Sequence, residues 1–199
     1  TSHDAYSTPL GLVPVDREAL ARLNELLKES NGVELAAVRR DQEHSLEIEL
    51  PFLQVTQPNG FWLVPLMMVD QSASMARLLS AALLKLIQSF PPKENALLLA
   101  SSDLSHFYSE RAANRLDGNL ADALQEFDLN AFYQRKQHGE MEACGFAPMA
   151  TVLQTSRLLG AEQVTVADYR TSAAVTGDRS SVVGYLSAII STGKADLYA

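Results

Sequence analysis

The sequence predicts an α/β domain in which a mostly parallel or mixed central sheet is covered by helices on both faces, a three-layer sandwich. Three observations predict it. Through most of the 199 residues, short apolar runs suited to strands alternate with longer amphipathic stretches suited to helices. Two of the runs, residues 61–69 and 96–100, are apolar almost throughout, as strands buried on both faces are. No repeat, low-complexity segment or Pro/Gly/Ser-rich linker divides the chain, so residues 1–199 read as one domain at ~150 residues per domain.

The elements follow in order. Ser7-Thr8-Pro9-Leu10-Gly11 reads as a loop. Asp16 stands at an N-cap before a helix over 18–29, with Leu20, Leu23, Leu26 and Leu27 on one face and Gly32 as its stop. Residues 33–38 read as a short strand. Residues 43–53 are ambiguous: Leu46, Ile48, Leu50 and Phe52 alternate like a strand, but His44, Glu47 and Leu50 share a helical face. A short helix is favoured, with Pro51 expected to end or kink it. Residues 61–69 read as a buried strand, with Trp62, Met67 and Met68 as core. A helix over 74–90 carries the stripe Leu78, Leu79, Ala82, Leu83 and Leu86, and Pro91-Pro92 closes it. Residues 96–100 read as a central strand. Helices over 109–127 and 128–138 take Ser109 and Asp128 as caps. A helix over 147–159 has Pro148 near its start and Gly160 just past its end. Residues 164–168 and 182–190 read as strands.

Composition excludes several function classes. Hydrophobic residues make up 47% and charged residues 20%, a globular balance. A chain of this size buries roughly 70% of its unfolded surface, enough for a core without staples. Sixteen basic against 24 acidic residues leave a net charge of −8, which argues against nucleic acid or an anionic membrane surface as partner. The apolar stretch near 60–69 is far short of the ~20 residues that span a bilayer. The single cysteine, Cys144, rules out an internal disulfide and fits a reducing compartment, so a cytoplasmic location is expected. The chain opens on Thr1 without a signal-peptide pattern and reads as trimmed at its start.

Four segments carry candidate chemistry. Ser101-Ser102-Asp103-Leu104-Ser105-His106 begins where an apolar run ends, so polar groups gather at the expected carboxyl edge of the sheet. Asp103 and His106 are spaced for a carboxylate to orient an imidazole. The same residues would also serve as a capped strand-to-helix turn with a solvated histidine. Glu43-His44-Ser45-Leu46-Glu47 offers an imidazole beside two carboxylates, or an ordinary polar helix start. Cys144 lies just before a helix, whose N-terminus favours negative charge, and Gly145 allows close backbone approach; a free cysteine is equally a small buried hydrophobe. Tyr169-Arg170-Thr171-Ser172 and Thr176-Gly177-Asp178-Arg179 would line a pocket or form a surface turn with an Asp–Arg pair. His3 and His138 are assigned no role. No GxGxxG, P-loop, GxSxG or HExxH pattern is present.

Together these segments resemble one family. The run from Glu43 through Pro51-Phe52-Leu53 resembles the EHS-x-E-x-x-LPF signature of MEMO-family proteins, also called the B component of the AmmeMemoRadiSam system. Ser101 to His106 resembles their SSD-x-SH motif, and Cys144-Gly145 with Pro148 their CG-x-x-P motif. Asp4-Ala5-Tyr6-Ser7-Thr8-Pro9-Leu10-Gly11 resembles their D-x-Y/F-x-TPLG segment, and Thr176-Gly177-Asp178-Arg179 and Val183-Gly184-Tyr185 their last loop and strand.

The resemblance implies a fold similar to class III extradiol dioxygenases and a metal site. His44, His106 and Cys144 match three of the family's ligands, and Asp103 matches the acidic neighbour. A further family histidine belongs to a GPSH motif ending the first strand. That motif precedes the TPLG segment, so the resemblance implies a strand and a ligand upstream of Thr1, and His3 is not in the ligand's place. Two imidazoles and a thiolate suit iron or copper, with zinc also a fit, and suit magnesium and calcium poorly. A cysteine where a ring-cleaving site wants a carboxylate favours one-electron redox, or metal binding without turnover. On this reading the chain is a non-heme iron or copper redox protein or oxidoreductase of unknown substrate. Asp103 and His106 form the catalytic pair, and Glu47, Ser105 and Tyr185 line the pocket. The alternative is a non-catalytic module holding a peptide or protein partner, as the family's animal member is associated with phosphotyrosine-peptide recognition. The partners left open are a small molecule or peptide in the cleft, a radical-SAM modification system served as accessory, and a second copy of the chain.

Overall fold

A computed structural model describes residues 1–39, 44–92 and 95–193. The described chain is mixed α/β, with seven helices and two antiparallel sheets. It forms two compact units, one of Thr1–Asp70 with Ala81–Leu97, the other of Gln71–Ser80 with Leu98–Ala199. Among the described residues, no helix is long and apolar enough to cross a membrane.

The first unit opens with a hairpin. Strand β1 (Ala5–Thr8) pairs antiparallel with β2 (Gly11–Pro14), Thr8 opposite Gly11. The segment expected as a loop is therefore half ladder. Thr8 explains this: its Oγ1 accepts from Leu10 N–H at 3.0 Å and donates to Gln54 Oε1 at 2.5 Å, which closes the Pro9-Leu10 turn. Helix α1 (Arg17–Asn31) starts where Asp16 accepts the Ala19 N–H at 2.8 Å and stops at Gly32, φ 66°. Ala19, Leu23, Leu26 and Leu27 are its buried stripe. Helix α2 (Ser45–Thr56) bears out the helical reading of its segment, but Pro51 does not end it. Glu43, at the start of that segment, lies outside the described residues.

Helix α3 (Ala73–Ser89) runs from one unit into the other. Ala76 joins the core of the second unit, where Ser80 Oγ donates to Ala76 O at 2.6 Å; Ala82, Leu83 and Leu86 are buried farther on.

The second unit follows the order β3 (His106–Tyr108), α4 (Glu110–Glu126), α5 (Leu129–Gln137), α6 (Phe146–Leu158), β4 (Gln163–Thr171), α7 (Ala173–Thr176) and β5 (Val182–Ser191). The sheet order is β3-β5-β4, antiparallel throughout, with Gln163 opposite Ser191 and Thr171 opposite Gly184. Helices α4, α5 and α6 follow the expected ones closely. Leu120, Leu124, Phe132, Tyr133, Phe146 and Leu153 fill the core with Val164 of β4. The Phe132 and Phe146 rings meet edge to face at 5.7 Å.

Three expected strands are corrected. Residues 33–38, 61–69 and 96–100 form no ladder among the described residues; the second makes a single parallel bridge, Val15 to Leu63. Apolar composition reports what a segment could bury, whereas a strand also needs a neighbour to take its N–H and C=O groups. The side chains follow suit. Trp62 and Met67, read as core, are 69% and 51% exposed, and Leu97 is 73% exposed. The strands that do pair are the β1–β2 hairpin, β4 with β5 across α7, and β3 with β5 from far along the chain.

Asp128 supplies a pH-dependent test of the fold. Its Oδ1 accepts from Asn130 N–H at 2.8 Å and Ala131 N–H at 3.0 Å, and these amides, Ala131 foremost, hold its carboxyl below the unfolded value of 3.8. A depressed folded value means stability present above pH 3.8 and lost as pH falls through the lower folded value. Asp128→Ala is expected to lower the melting temperature at neutral pH, and the gap to wild type to close as melts are taken below pH 3.8.

Candidate functional site

The candidate site is a corner of the second unit where the 101–106 segment meets the start of α6. Leu104, almost fully buried, anchors the segment from below. Leu104 N–H donates to Gly184 O at 3.1 Å and Gly184 N–H to Ser105 O at 3.0 Å, so residues just before β3 are strapped to β5. On the other side, Cys144 N–H donates to Asp103 O at 3.2 Å and Gly145 N–H to Ser102 Oγ at 2.8 Å. Gly145 is required here. A Cβ on it would lie 2.7 Å from Ser102 Cβ, although its φ of −109° suits any residue. The close approach expected of Gly145 is borne out.

Three candidate side chains gather at this corner. His106 Nε2 stands 3.2 Å from Asp103 Oδ2, the imidazole half-buried and the carboxylate exposed. Cys144 is exposed, its Sγ 3.3 Å from Ser102 Oγ and 3.7 Å from Asp103 O. Ser102 Oγ donates to Asp103 O at 2.8 Å, which leaves its lone pairs to accept the thiol S–H and the Gly145 N–H. Among the described residues, no group of three or more His, Cys, Asp or Glu is spaced to hold a metal ion.

The other candidates lie as follows. Ser105 is fully buried, and its Oγ has no hydrogen-bond partner among the described residues. Tyr185 is half-exposed on β5, opposite Arg170. His44 is the N-cap of α2 and Glu47 lies in its first turn; both belong to the first unit, whereas Asp103, His106 and Cys144 belong to the second. In the fourth segment Arg170 pairs with Asp168 at 2.9 Å and Arg179 with Glu110 at 3.3 Å. Asp178 accepts from Ser180 Oγ and N–H, which hold its carboxyl below the usual range, so of the two readings left open the turn is the one seen at Asp178, closed by Ser180 and not by an Asp–Arg pair.

Sequence reasoning missed what lies beneath the histidine. Asp117, on α4, is fully buried. Its Oδ1 accepts the Ser105 N–H at 3.0 Å and its Oδ2 the Tyr169 O–H at 2.8 Å. Burial first, and that bond second, push the Tyr169 phenol up. The signal was present: Asp117 falls on the apolar stripe of Ala113, Leu116, Leu120 and Leu124. Phe107 was also missed. It interrupts the β3–β5 register between His106 and Tyr108, holds φ at 63° and is 79% exposed. Beside it, Tyr108 O–H donates to Glu142 Oε2 at 2.7 Å, and that carboxylate pushes the phenol up.

Comparison with known proteins agrees with the sequence resemblance. The family model described as Memo-like protein matches residues 1–189. A MEMO1 family protein of Thermotoga neapolitana is 36% identical over 186 residues, 94% of this chain and 63% of the relative. One from Nitrosopumilus maritimus is 35% identical over 180 residues, 90% of this chain and 63% of the relative. One from Saccharolobus solfataricus is 32% identical over 183 residues, 92% of this chain and 63% of the relative. The chain thus spans less than two thirds of the length of these relatives. Matched by one family model from Thr1 to Ile189 and by these relatives over nine tenths of its length, the chain belongs to the Memo-like protein family.

Proposed function

We propose that this protein carries a dioxygenase-like metal-binding cleft at His106 and Cys144, with His44 as the further ligand that the family resemblance implies, and works as a non-heme iron or copper redox protein or oxidoreductase. The observation that carries the reading is the Asp103–His106 pair at 3.2 Å beside an exposed thiol tied to the same loop. Imidazole and thiol donors fit iron, copper or zinc better than magnesium or calcium. Iron or copper held there supplies one-electron redox chemistry.

The chain's own groups divide the remaining work. Asp103 orients the His106 ring by accepting its Nε2–H, which leaves Nδ1 as the donor nitrogen. Ser102 fixes the thiol position through its contact with Sγ. Glu47 and Tyr185 are proposed to line the cleft, with Ser105 beneath it. An exposed free cysteine fits a reducing compartment, and the cytoplasm is the proposed location. The proposed architecture of the whole protein is the three-layer, extradiol-dioxygenase-like sandwich.

Anaerobic titration with Co(II) tests the reading. Wild type is expected to bind one equivalent with a thiolate-to-cobalt absorption band. His106→Ala is expected to weaken binding by more than the about 10–100-fold that loss of an outer partner costs, and Cys144→Ala to abolish the band. Equal binding by all three proteins would remove the metal reading. The exposed Phe107 and Tyr185 favour a second one, a cleft for a peptide or protein partner. Peptide binding that survives chelators and His106→Ala would promote it.

A further inference from the structure

We propose that Asp117 is a positioning residue for His106, acting through the buried amide of Ser105. The inference rests on the reading of His106 as a functional group and names a residue that reading does not contain. A carboxylate in a core demands partners, and an apolar side chain on the same stripe would pack there without that demand. Asp117 uses both oxygens. Oδ1 takes the Ser105 N–H and Oδ2 the Tyr169 O–H, which also lies 3.0 Å from Asn114 Oδ1. No cation pairs with it among the described residues. The carboxylate is thus spent on the backbone of the residue immediately before His106 and on a tyrosine that holds it in place.

The location gives this bond its purpose. β3 is three residues long, and its ladder slips at Phe107, the residue directly after His106. So short and interrupted a strand leaves the backbone at His106 under-determined on the Phe107 side. On the Ser105 side it is over-determined. Ser105 O accepts from Gly184 N–H at 3.0 Å while Ser105 N–H is held by Asp117. Gly184 leaves room for this arrangement, since a Cβ there would lie 1.9 Å from Asp117 Oδ2. The α4 helix therefore reaches past β5 to grip one peptide group beside the candidate imidazole.

The test compares wild type, Asp117→Asn and Tyr169→Phe by NMR of ¹⁵N-histidine-labelled protein, by amide exchange and by Co(II) titration. Asn keeps the shape but replaces the charged acceptor. It is expected to raise exchange at Ser105 and His106 at least tenfold, leave exchange in α5 and α6 unchanged, shift or broaden the His106 ring signals, and weaken Co(II) binding about 10–100-fold. Tyr169→Phe removes one of the two bonds and is expected to do the same to a smaller extent. If wild type binds no Co(II), the metal reading fails, and the ring signals and exchange decide this proposal by themselves. If Asp117→Asn does not fold, the Tyr169→Phe ring signals decide it. Unchanged His106 signals in the folded variant, or a loss of protection spread evenly over the core, would overturn the positioning role.

Discussion

Gly184→Ala is expected to destabilise the protein by about 3–5 kcal/mol. The backbone is not the reason, since Gly184 is not among the glycines with positive φ. The added Cβ would fall 1.9 Å from Asp117 Oδ2 and 2.7 Å from its Cγ. Those atoms belong to a fully buried carboxylate with bonds on both oxygens, so it cannot swing aside without losing the Ser105 and Tyr169 hydrogen bonds. Overpacking alone costs roughly 1–3 kcal/mol, and a side-chain shift that gives up one of the two bonds to the charged acceptor adds about 1.5–3. Urea denaturation should show a lower midpoint with an unchanged slope. Gly118→Ala is the control. Gly118 sits within α4 with nothing within 4 Å of the place an added methyl would take, and alanine there should stabilise by roughly 0.5–1 kcal/mol through helix propensity. If Gly184→Ala behaved like Gly118→Ala, the tight contact between β5 and the carboxylate would be refuted.

Gly145→Ala should cost about 1–3 kcal/mol and, more tellingly, displace the thiol. Its Cβ would meet Ser102 Cβ at 2.7 Å and Ser102 Oγ at 2.9 Å. Ser102 is the residue through which the 101–106 segment holds Cys144. Its Oγ accepts the Gly145 N–H, contacts Sγ at 3.3 Å and donates to Asp103 O. Rotating it away frees all three. The rate of Cys144 modification by a neutral disulfide reagent should change several-fold, while the Asp103–His106 pair keeps its ring signals. Ser102→Ala should reproduce the thiol effect with a smaller stability loss, because it removes the contacts without the clash. Identical thiol reactivity in all three proteins would show that Ser102 does not position Cys144.

Much of the site was legible without coordinates. The Asp103–His106 spacing predicted a carboxylate beside an imidazole, and the pair stands at 3.2 Å. The position of Gly145 predicted close approach, and Ser102 is the neighbour. Asp117 was not legible in this way. Its partners, Ser105 and Tyr169, are 12 and 52 residues distant, and a lone acid on an apolar stripe announces a burden without naming what relieves it.

The sequence by itself determined the six longer helices but not α7, the caps at Asp16 and Asp128, the identity of the candidate donors and the family. These signals are local: apolar residues three and four apart, a side-chain oxygen three residues before its amide, a motif read in order. Only the tertiary structure decided which apolar runs became strands, why Trp62 and Leu97 stand exposed, and which backbone Asp117 grips. A strand exists only where another segment takes its hydrogen bonds, and a buried charge is stable only where distant groups converge on it, so neither can be read from neighbours along the chain.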